Sequence, residues 1–464
     1  VEANIYLLDA GGAKVDASDV YDGAKRVTLK PSAGLNAYAS YRLIVDSGLK
    51  SAAGEAILTG KVIRIRTGLD TSDKFPQISD EELLTKVQQQ TFRYFWEGAE
   101  PTSGMARERT SSGATVTTGG TGFGVMAMTV AAERGFVTRS EACQRVQRIV
   151  TFLAERATSY HGAFSHWIDG QTGQTLPFSA DDNGADLVET GLLFQGLLTA
   201  RAYFDGADAA ESKLRADITA LWEAVEWDFF TKEGTEKVLY WHWSPDKGWA
   251  MNMPIQGWNE ALIVYVLAAS SPTHPIGREV YAEGWARGGA MRNGKLFYDT
   301  VLPLGEDYGG PLFWAQDSFL GLNPRGLSDA YADYWEQVCN HTRINYAYCV
   351  DNPKGYAGYG ADCWGLTASD IPDGYTASSP TNDRGVIAPT AALSSMPFTP
   401  DESMAALRFF YYKLGDKLWS DYGFIDAFDL TTGWFDRGMH IAIDQGPIVV
   451  MIENYRTGLP WNLF

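Results

Sequence analysis

"SDEELLTKVQQQTFRYFWEGA", residues 79–99, is where the period of the chain changes from that of strands to that of helices. Ser79 offers an N-cap, Asp80, Glu81 and Glu82 put negative charge on the first turn, and apolar residues then recur three and four apart. Upstream, residues 1–68 hold short β-forming runs, "ANIYLLD", "KRVTLKP", "YRLIVDSGL" and "KVIRIRTG", separated by turn-forming "DAGGAK" and "SAAGEA". This texture predicts a small β-sandwich over 1–70, a linker over 71–79 within and after "LDTSDKFPQ", and a helical domain over 80–464.

Further helices are expected near 121–134, 139–158, 185–204, 209–230, 258–270, 277–288, 314–322, 328–348, 388–395, 401–418 and 443–456, about twelve with the first. "GGTGFG" at 119–124 has no strand before it and reads as a loop leading into a helix. Short turns alternate with long Gly/Trp/Asp-rich loops, which predicts an all-α domain of six hairpins closed into an (α/α)6 toroid. No fixed sequence period supports an open solenoid. Long loops at one end of such a ring are where a site would be built.

Composition narrows the partner. With 57 acidic and 38 basic residues the net charge is −19, which repels nucleic acid, anionic lipid and polyanionic sugars. The 15 Trp residues favour a neutral partner with flat faces. The apolar runs "ALIVYVLAA" and "PIVVMI" fall far short of the roughly 20 residues that a membrane span needs. The chain starts at Val1 without a basic-then-apolar leader, so a signal peptide, where export requires one, is expected to be removed already. Cys143, Cys339, Cys349 and Cys363 lack metal-ligand spacing and predict no zinc site; a Cys349–Cys363 disulfide and buried free thiols are both compatible with the spacing.

The chemistry-bearing signal is carboxylates at helix starts. Asp182, Asp186 and Glu189 lie four and three apart and would share one face if the helix reaches back that far, although Asp186 and Glu189 also fit a capping box. Glu260 opens the apolar helix "ALIVYVLAA", and Gly257 three residues earlier cannot complete a capping box. Desolvation beside Trp258 should keep Glu260 protonated near neutrality, as a general acid requires. Asp444 precedes Pro447 in "AIDQGPIVVMIENYR", so it is expected at a helix N-terminus, ionised by the dipole, as a base or as a cap. Glu453 is out of phase with Asp444 and is expected to pair with Arg456. Trp258, Trp314, Trp364 and Trp434 fall in or beside loops, where a ring can cover a pyranose. Asn259 and His166 are placed with them as substrate contacts, whereas His274 reads as structural and Phe95, Phe194 and Trp222 as core.

Two resemblances follow from these stretches. "LNAYASYRLIVDSGLKSAAGEAI…IRIRTG" resembles a bacterial Ig-like domain, here without its first strands. "QQQTFRYFWEGA", "SADDNGADLVETGLLFQGLLTAR", "GWNEALIVYVLAASSPTHPI", "NPKGYAGYGADCWGLTASD", "APTAALSSMPFTPDESMAALR" and "AIDQGPIVVMIENYRTGLPWNLF" resemble the glucoamylase-like family grouped as glycoside hydrolase family 144, related to the C-terminal region of cyclic β-1,2-glucan synthases. That resemblance implies an (α/α)6 barrel, export to the periplasm or cell surface, and inverting hydrolysis of β-1,2-glucan to sophorose or short sophoro-oligosaccharides. It carries the functional carboxylates onto Asp182, Asp186, Glu189, Glu260 and Asp444.

On this reading Glu260 protonates the leaving oxygen, and Asp444 deprotonates a water on the opposite face from about 6.5–9.5 Å away. Asp182, Asp186 and Glu189 hold hydroxyls or relay the proton; no cofactor or metal takes part, and the protein works as a monomer. The alternatives are a glucoamylase-type α-glucan hydrolase, a polysaccharide lyase, which the acidic charge disfavours, and a glycan-binding protein without catalysis, which a desolvated Glu260 disfavours. Loops 232–256 and 296–313 would decide between endo and exo action.

Overall fold

A computed structural model describes residues 3–51 and 53–464. The chain divides into two compact units, Val1–Asp73 and Lys74–Phe464.

The first unit contains β1 (Ile5–Leu8), β2 (Ala17–Tyr21), β3 (Val27–Pro31), β4 (Ser40–Val45) and β5 (Lys61–Arg66). An antiparallel sheet runs in the order β1-β4-β5, and β2 pairs with β3 as a hairpin. Its core is slight: Leu7 and Tyr41 are the buried apolar side chains among its described residues, and every residue of the edge strand β5 is exposed.

The second unit is helix-rich, with short sheets in its loops. Its helices are α1 (Asp80–Trp96), α2 (Thr118–Glu133), α3 (Arg139–Glu155), α4 (Leu187–Tyr203), α5 (Ala209–Glu223), α6 (Leu262–Ser270), α7 (Tyr334–Asp351), α8 (Pro389–Leu393), α9 (Pro400–Arg408), α10 (Gly415–Leu418), α11 (Ala442–Arg456) and α12 (Leu459–Leu463). The Ser79 capping box forms as the sequence suggests: Ser79 Oγ accepts from Glu82 N–H, and Glu82 accepts from Ser79 N–H at 2.9 Å.

Helices buried on nearly all sides form an inner layer. α2 packs on α4, α4 on α6, α6 on the turn Asp317–Phe319, α8 on α11, and α11 back on α2. The amphipathic helices lie outside them: α1 against α11 and α2, α3 against α2 and α5, α7 against the turn Leu312–Ala315, and α9 against α8.

The structure corrects several local expectations. "GGTGFG" lies inside α2 rather than in a loop. Its glycines are there for approach: a Cβ on Gly122 would meet Leu192 O at 2.3 Å, and one on Gly196 of α4 would meet Gly122 O at 2.0 Å. Both obstacles are backbone and cannot rotate away. Gly196→Ala should therefore cost about 3 kcal/mol of stability through overpacking, read as a lowered thermal midpoint; an unchanged midpoint would refute this close contact.

The helices expected at 277–288 and 314–322 are instead a π-helical turn, Val280–Trp285, and two 3-10 turns, Leu312–Ala315 and Asp317–Phe319. Gly309, Gly310 and Pro311 just before the latter, and Gly321 and Pro324 after it, leave too little chain for regular turns. Glu453 does not pair with Arg456: Arg134 Nε meets it at 2.8 Å, while Arg456 binds Gln88 and Glu81. The four cysteines are free and buried, so no Cys349–Cys363 bond is formed. Among the described residues no helix is long and apolar enough to cross a membrane.

Candidate active site

The first group of carboxylates gathers at the N-terminus of α4. A two-residue ladder sets Asp186 opposite His242. Asp186 then acts as the N-cap: its Oδ1 accepts from Val188 N–H at 3.0 Å and Glu189 N–H at 2.9 Å. Its Oδ2 faces two imidazoles, His166 Nδ1 at 3.2 Å and His242 Nε2 at 3.6 Å. The cap and the site are thus one residue. Burial pushes Asp186 up, but the His166 bond and the fields of His242 and His166 outweigh it and leave the carboxyl below its ordinary value.

Glu189 is buried, with Oε2 accepting from Gly119 N–H at 2.6 Å and Thr117 Oγ1 at 3.2 Å. Burial raises its pKa despite these donors. Asp182 is not on the helical face that the spacing suggested, because α4 starts only at Leu187. It joins the group through His242 Nε2, 3.4 Å away, and burial beside Asp186 pushes it up to about 7. Burial works against charge on His166, yet Glu189, Asp186 and Asp182 together push it up to about 9. An imidazolium therefore sits among three carboxyl groups.

Glu260 lies in the turn before α6, which begins at Leu262. Gly257 supplies a positive φ of 78° there, and Asn259 Oδ1 accepts from Ala261 N–H at 2.9 Å. Asn259 therefore shapes the turn that presents Glu260. Only 9% of Glu260 is exposed, and burial, followed by the charges of Asp186 and Glu189, pushes it up to about 7. The expected environment of a protonated carboxyl is present.

Asp444 differs from expectation. Ile441 is the N-cap of α11, and Asp444 is the third helical residue, buried and without a capping role. Burial and the charge of Asp426 hold its carboxyl well above the ordinary range, and it hydrogen-bonds Asp426. The desolvation exceeds what a helix end can offset. Asp426, itself pushed up to about 7 by burial, accepts from Asp370 N–H at 2.7 Å. Asp370 in turn is held in a two-pronged pair by Arg109, at 2.9 and 2.8 Å. Asp426 and Asp444 titrate as a pair that shares a proton.

A cavity of about 280 Å³ lies beside residues that contact both groups, although none of Asp182, Asp186, Glu189, Glu260, Asp426 and Asp444 is in its lining. His166 and Thr117 line it from the first, Arg109 and Tyr375 from the second, with Phe178 and Ile443 between. Phe178 is half-exposed and tilts over His166 at 4.4 Å and Trp167 at 4.8 Å; Tyr375 is half-exposed and turns its hydroxyl toward the carboxylates of the second group. A larger hollow of about 560 Å³ in the first unit is lined by Tyr41, Arg42, Arg64 and Arg66 and holds no carboxylate.

The predicted tryptophans are not on this cavity. Trp258 is buried, donates to His341 Nδ1 at 3.3 Å and stacks with Phe319 and Tyr334. Trp364 is wholly buried and donates to Glu402 O. Neither offers a face to a sugar. Trp314 and Trp434 are half-buried outside the cavity lining, and His274 pairs with Asp228. The aromatic faces that line the cavity are Phe178, Tyr375 and Trp167, none of them among the four expected tryptophans. Asp317, Asp370, Asp426 and Arg109 were also missed; for Asp426 the available signal was its place among apolar residues in "GFIDAF".

Among the described residues two sets of side chains have the spacing to hold a cation: His166, Asp182 and Asp186, and Asp370, Asp426 and Asp436, each with ligand atoms within 4.8 Å of one another. Charge is already compensated in both, by the His166 imidazolium and by Arg109.

A family model described as "Putative glucoamylase" matches residues 252–464. A solved structure described in the same words, from Bacteroides uniformis, is 57% identical, covers 84% of this chain and 95% of its own, and superposes with a TM-score of 0.82. The endo-β-1,2-glucanase from Chitinophaga pinensis, solved with sophorotriose and glucose, is 51% identical over 83% of this chain and 95% of its own, with a TM-score of 0.81. The chain belongs to the glucoamylase-like family, glycoside hydrolase family 144. An exo β-1,2-glucooligosaccharide sophorohydrolase of Parabacteroides distasonis is a further relative, 47% identical over 408 residues and 83% of this chain. The chain spans about half, 56%, of the length of that curated relative. The family-model match, residues 252–464, includes Glu260, Asp426 and Asp444 but not Asp182, Asp186 and Glu189.

Proposed function

We propose that this chain is an inverting glycoside hydrolase that cuts β-1,2-glucan to sophorose or short sophoro-oligosaccharides. The observation that carries this reading is a set of buried carboxyls that burial keeps protonated toward neutrality: Glu260, pushed up to about 7, and the hydrogen-bonded pair in which Asp426 is pushed up to about 7 and Asp444 well above its ordinary range. An inverting hydrolase needs one carboxyl that donates a proton to the leaving oxygen and a second that takes one from water. The β-1,2 linkage is supported by what the family relatives from Chitinophaga pinensis and Parabacteroides distasonis act on.

Glu260 donates its proton to the leaving oxygen. Asp444, passing its proton to Asp426, accepts one from the attacking water. Asp186, Glu189 and His166 hold sugar hydroxyls, and Phe178 and Tyr375 cover the ring faces. No metal or cofactor enters this mechanism. The packing order supports six inner and six outer helical segments closed as an (α/α)6 toroid over 80–464. Residues 1–70 are read as an Ig-like domain joined by a 71–79 linker, in an exported, periplasmic or cell-surface monomer.

Linear β-1,2-glucan, starch and laminarin incubated in parallel test the reading. Sophorose or its short oligomers should appear from β-1,2-glucan alone. Comparable glucose release from starch would restore the α-glucan hydrolase.

A further inference from the structure

An inverting cycle leaves the acid without its proton and the base with one too many. Glu260 and Asp444 are 9% and 5% exposed, so resetting them through bulk water is obstructed. The turn Gln316–Ser318 connects the two. On one side the Ser318 hydroxyl donates to the Glu260 carbonyl and accepts from Ile263 N–H at 3.0 Å. On the other, Gln316 Nε2 donates to Ala391 O at 3.0 Å and Ser395 Oγ at 2.9 Å around α8, and Thr390 of α8 donates to the Asp444 carbonyl at 2.7 Å. Gln195 of α4 pins the turn itself, at 3.2 Å to Asp317 O and 2.8 Å to Ser318 O.

Between these anchors stands Asp317, 1% exposed, whose Oδ2 has no hydrogen-bond partner. Its carboxyl is close enough to Glu260 and Glu189 to feel their charges, and Asp444 feels that of Asp317. An unpartnered buried carboxyl is costly.

We propose that Asp317 returns the proton from the Asp426–Asp444 pair to Glu260 after each turnover. The proton leaves Asp444 for the unprotonated oxygen of Asp317, while the proton already on Asp317 leaves its other oxygen for ionised Glu260. One O–H bond forms and one breaks on Asp317, which stays neutral throughout; a half-turn of its carboxyl before the next turnover returns the proton to the oxygen on the Glu260 side, and direct or water-mediated hydrogen bonds carry both transfers. Burial holds Asp317 in the protonated state that this needs. The inference rests on the hydrolase reading above.

Asp317→Asn keeps the shape but cannot pass a proton from one atom to the other. On β-1,2-glucan its kcat should fall about tenfold or more with KM little changed. Part of that loss should return as a small carboxylic acid buffer is raised at fixed pH and ionic strength, and the solvent deuterium effect on kcat should grow. Asp317→Glu should stay independent of buffer, which provides the decisive comparison if the Asn variant does not fold. An Asn variant with full kcat, a loss that buffer does not relieve, or a buffer-dependent Glu variant would each overturn the relay. Cleavage by the unaltered chain in the same assay tests the hydrolase reading, so the two fail separately.

Discussion

Glu260→Gln should lower turnover on β-1,2-glucan by about 10²–10⁴-fold, the usual contribution of a positioned general acid, while the fold stays intact. Gln fills the same volume and removes a carboxyl that burial already keeps close to neutral, so the turn held by Asn259 and Ser318 should persist. The loss should nearly vanish with a sophoroside whose leaving group is a nitrophenol, because such a group departs without a proton. The pH profile gives the sign. A general acid works while protonated, so kcat/KM of the unaltered chain should fall as pH rises through about 7, and a second fall should appear on the acid side, where Asp426 gains a proton and can no longer take the one from Asp444. The alkaline limb should be missing from the Gln variant. A Gln variant with normal turnover on glucan would move the acid to another carboxyl.

Asp444→Asn should be nearly as damaging, again about 10²–10⁴-fold in kcat, and for a different reason. In the resting site Asp444 hydrogen-bonds Asp426, and the Asn amide can still donate that bond. Circular dichroism and thermal unfolding should therefore change little. The amide cannot accept a proton from water, so turnover falls even for an activated leaving group, which separates this variant from Glu260→Gln. Proton NMR of the first-formed anomer in the unaltered chain should show inversion. Near-normal turnover by Asp444→Asn would pass the base to Asp426, whose Oδ1 also lacks a partner.

What the sequence revealed was local. The Ser79 cap and the apolar period of α1 each depend on residues a few positions apart, and each appears in the structure; Glu260 is desolvated as expected, but with Asp186 and Glu189 beside it rather than by its sequence neighbours alone. What it concealed depends on distant partners. Arg134 reaches Glu453 across 319 residues, and Asp426 and Asp370 set the proton state of Asp444 from other loops. Burial of Trp258 against Phe319 and Tyr334, and the glycine contact between α2 and α4, are products of packing that no period in one segment encodes. The turn bearing Asp317 was mistaken for a helix, and its carboxyl passed unremarked.

Asp186 has a consequence for how relatives of this chain are judged. One of its oxygens caps α4, a contribution of about 1 kcal/mol, and the other meets the imidazoles of His166 and His242. A lineage that lost catalysis would still be selected to keep Asp186, merely to stay folded. Glu260 has no such second employment, and its buried carboxyl would be free to drift toward something apolar. In a distant homologue, then, Asp186 is a poor witness to activity and Glu260 a good one.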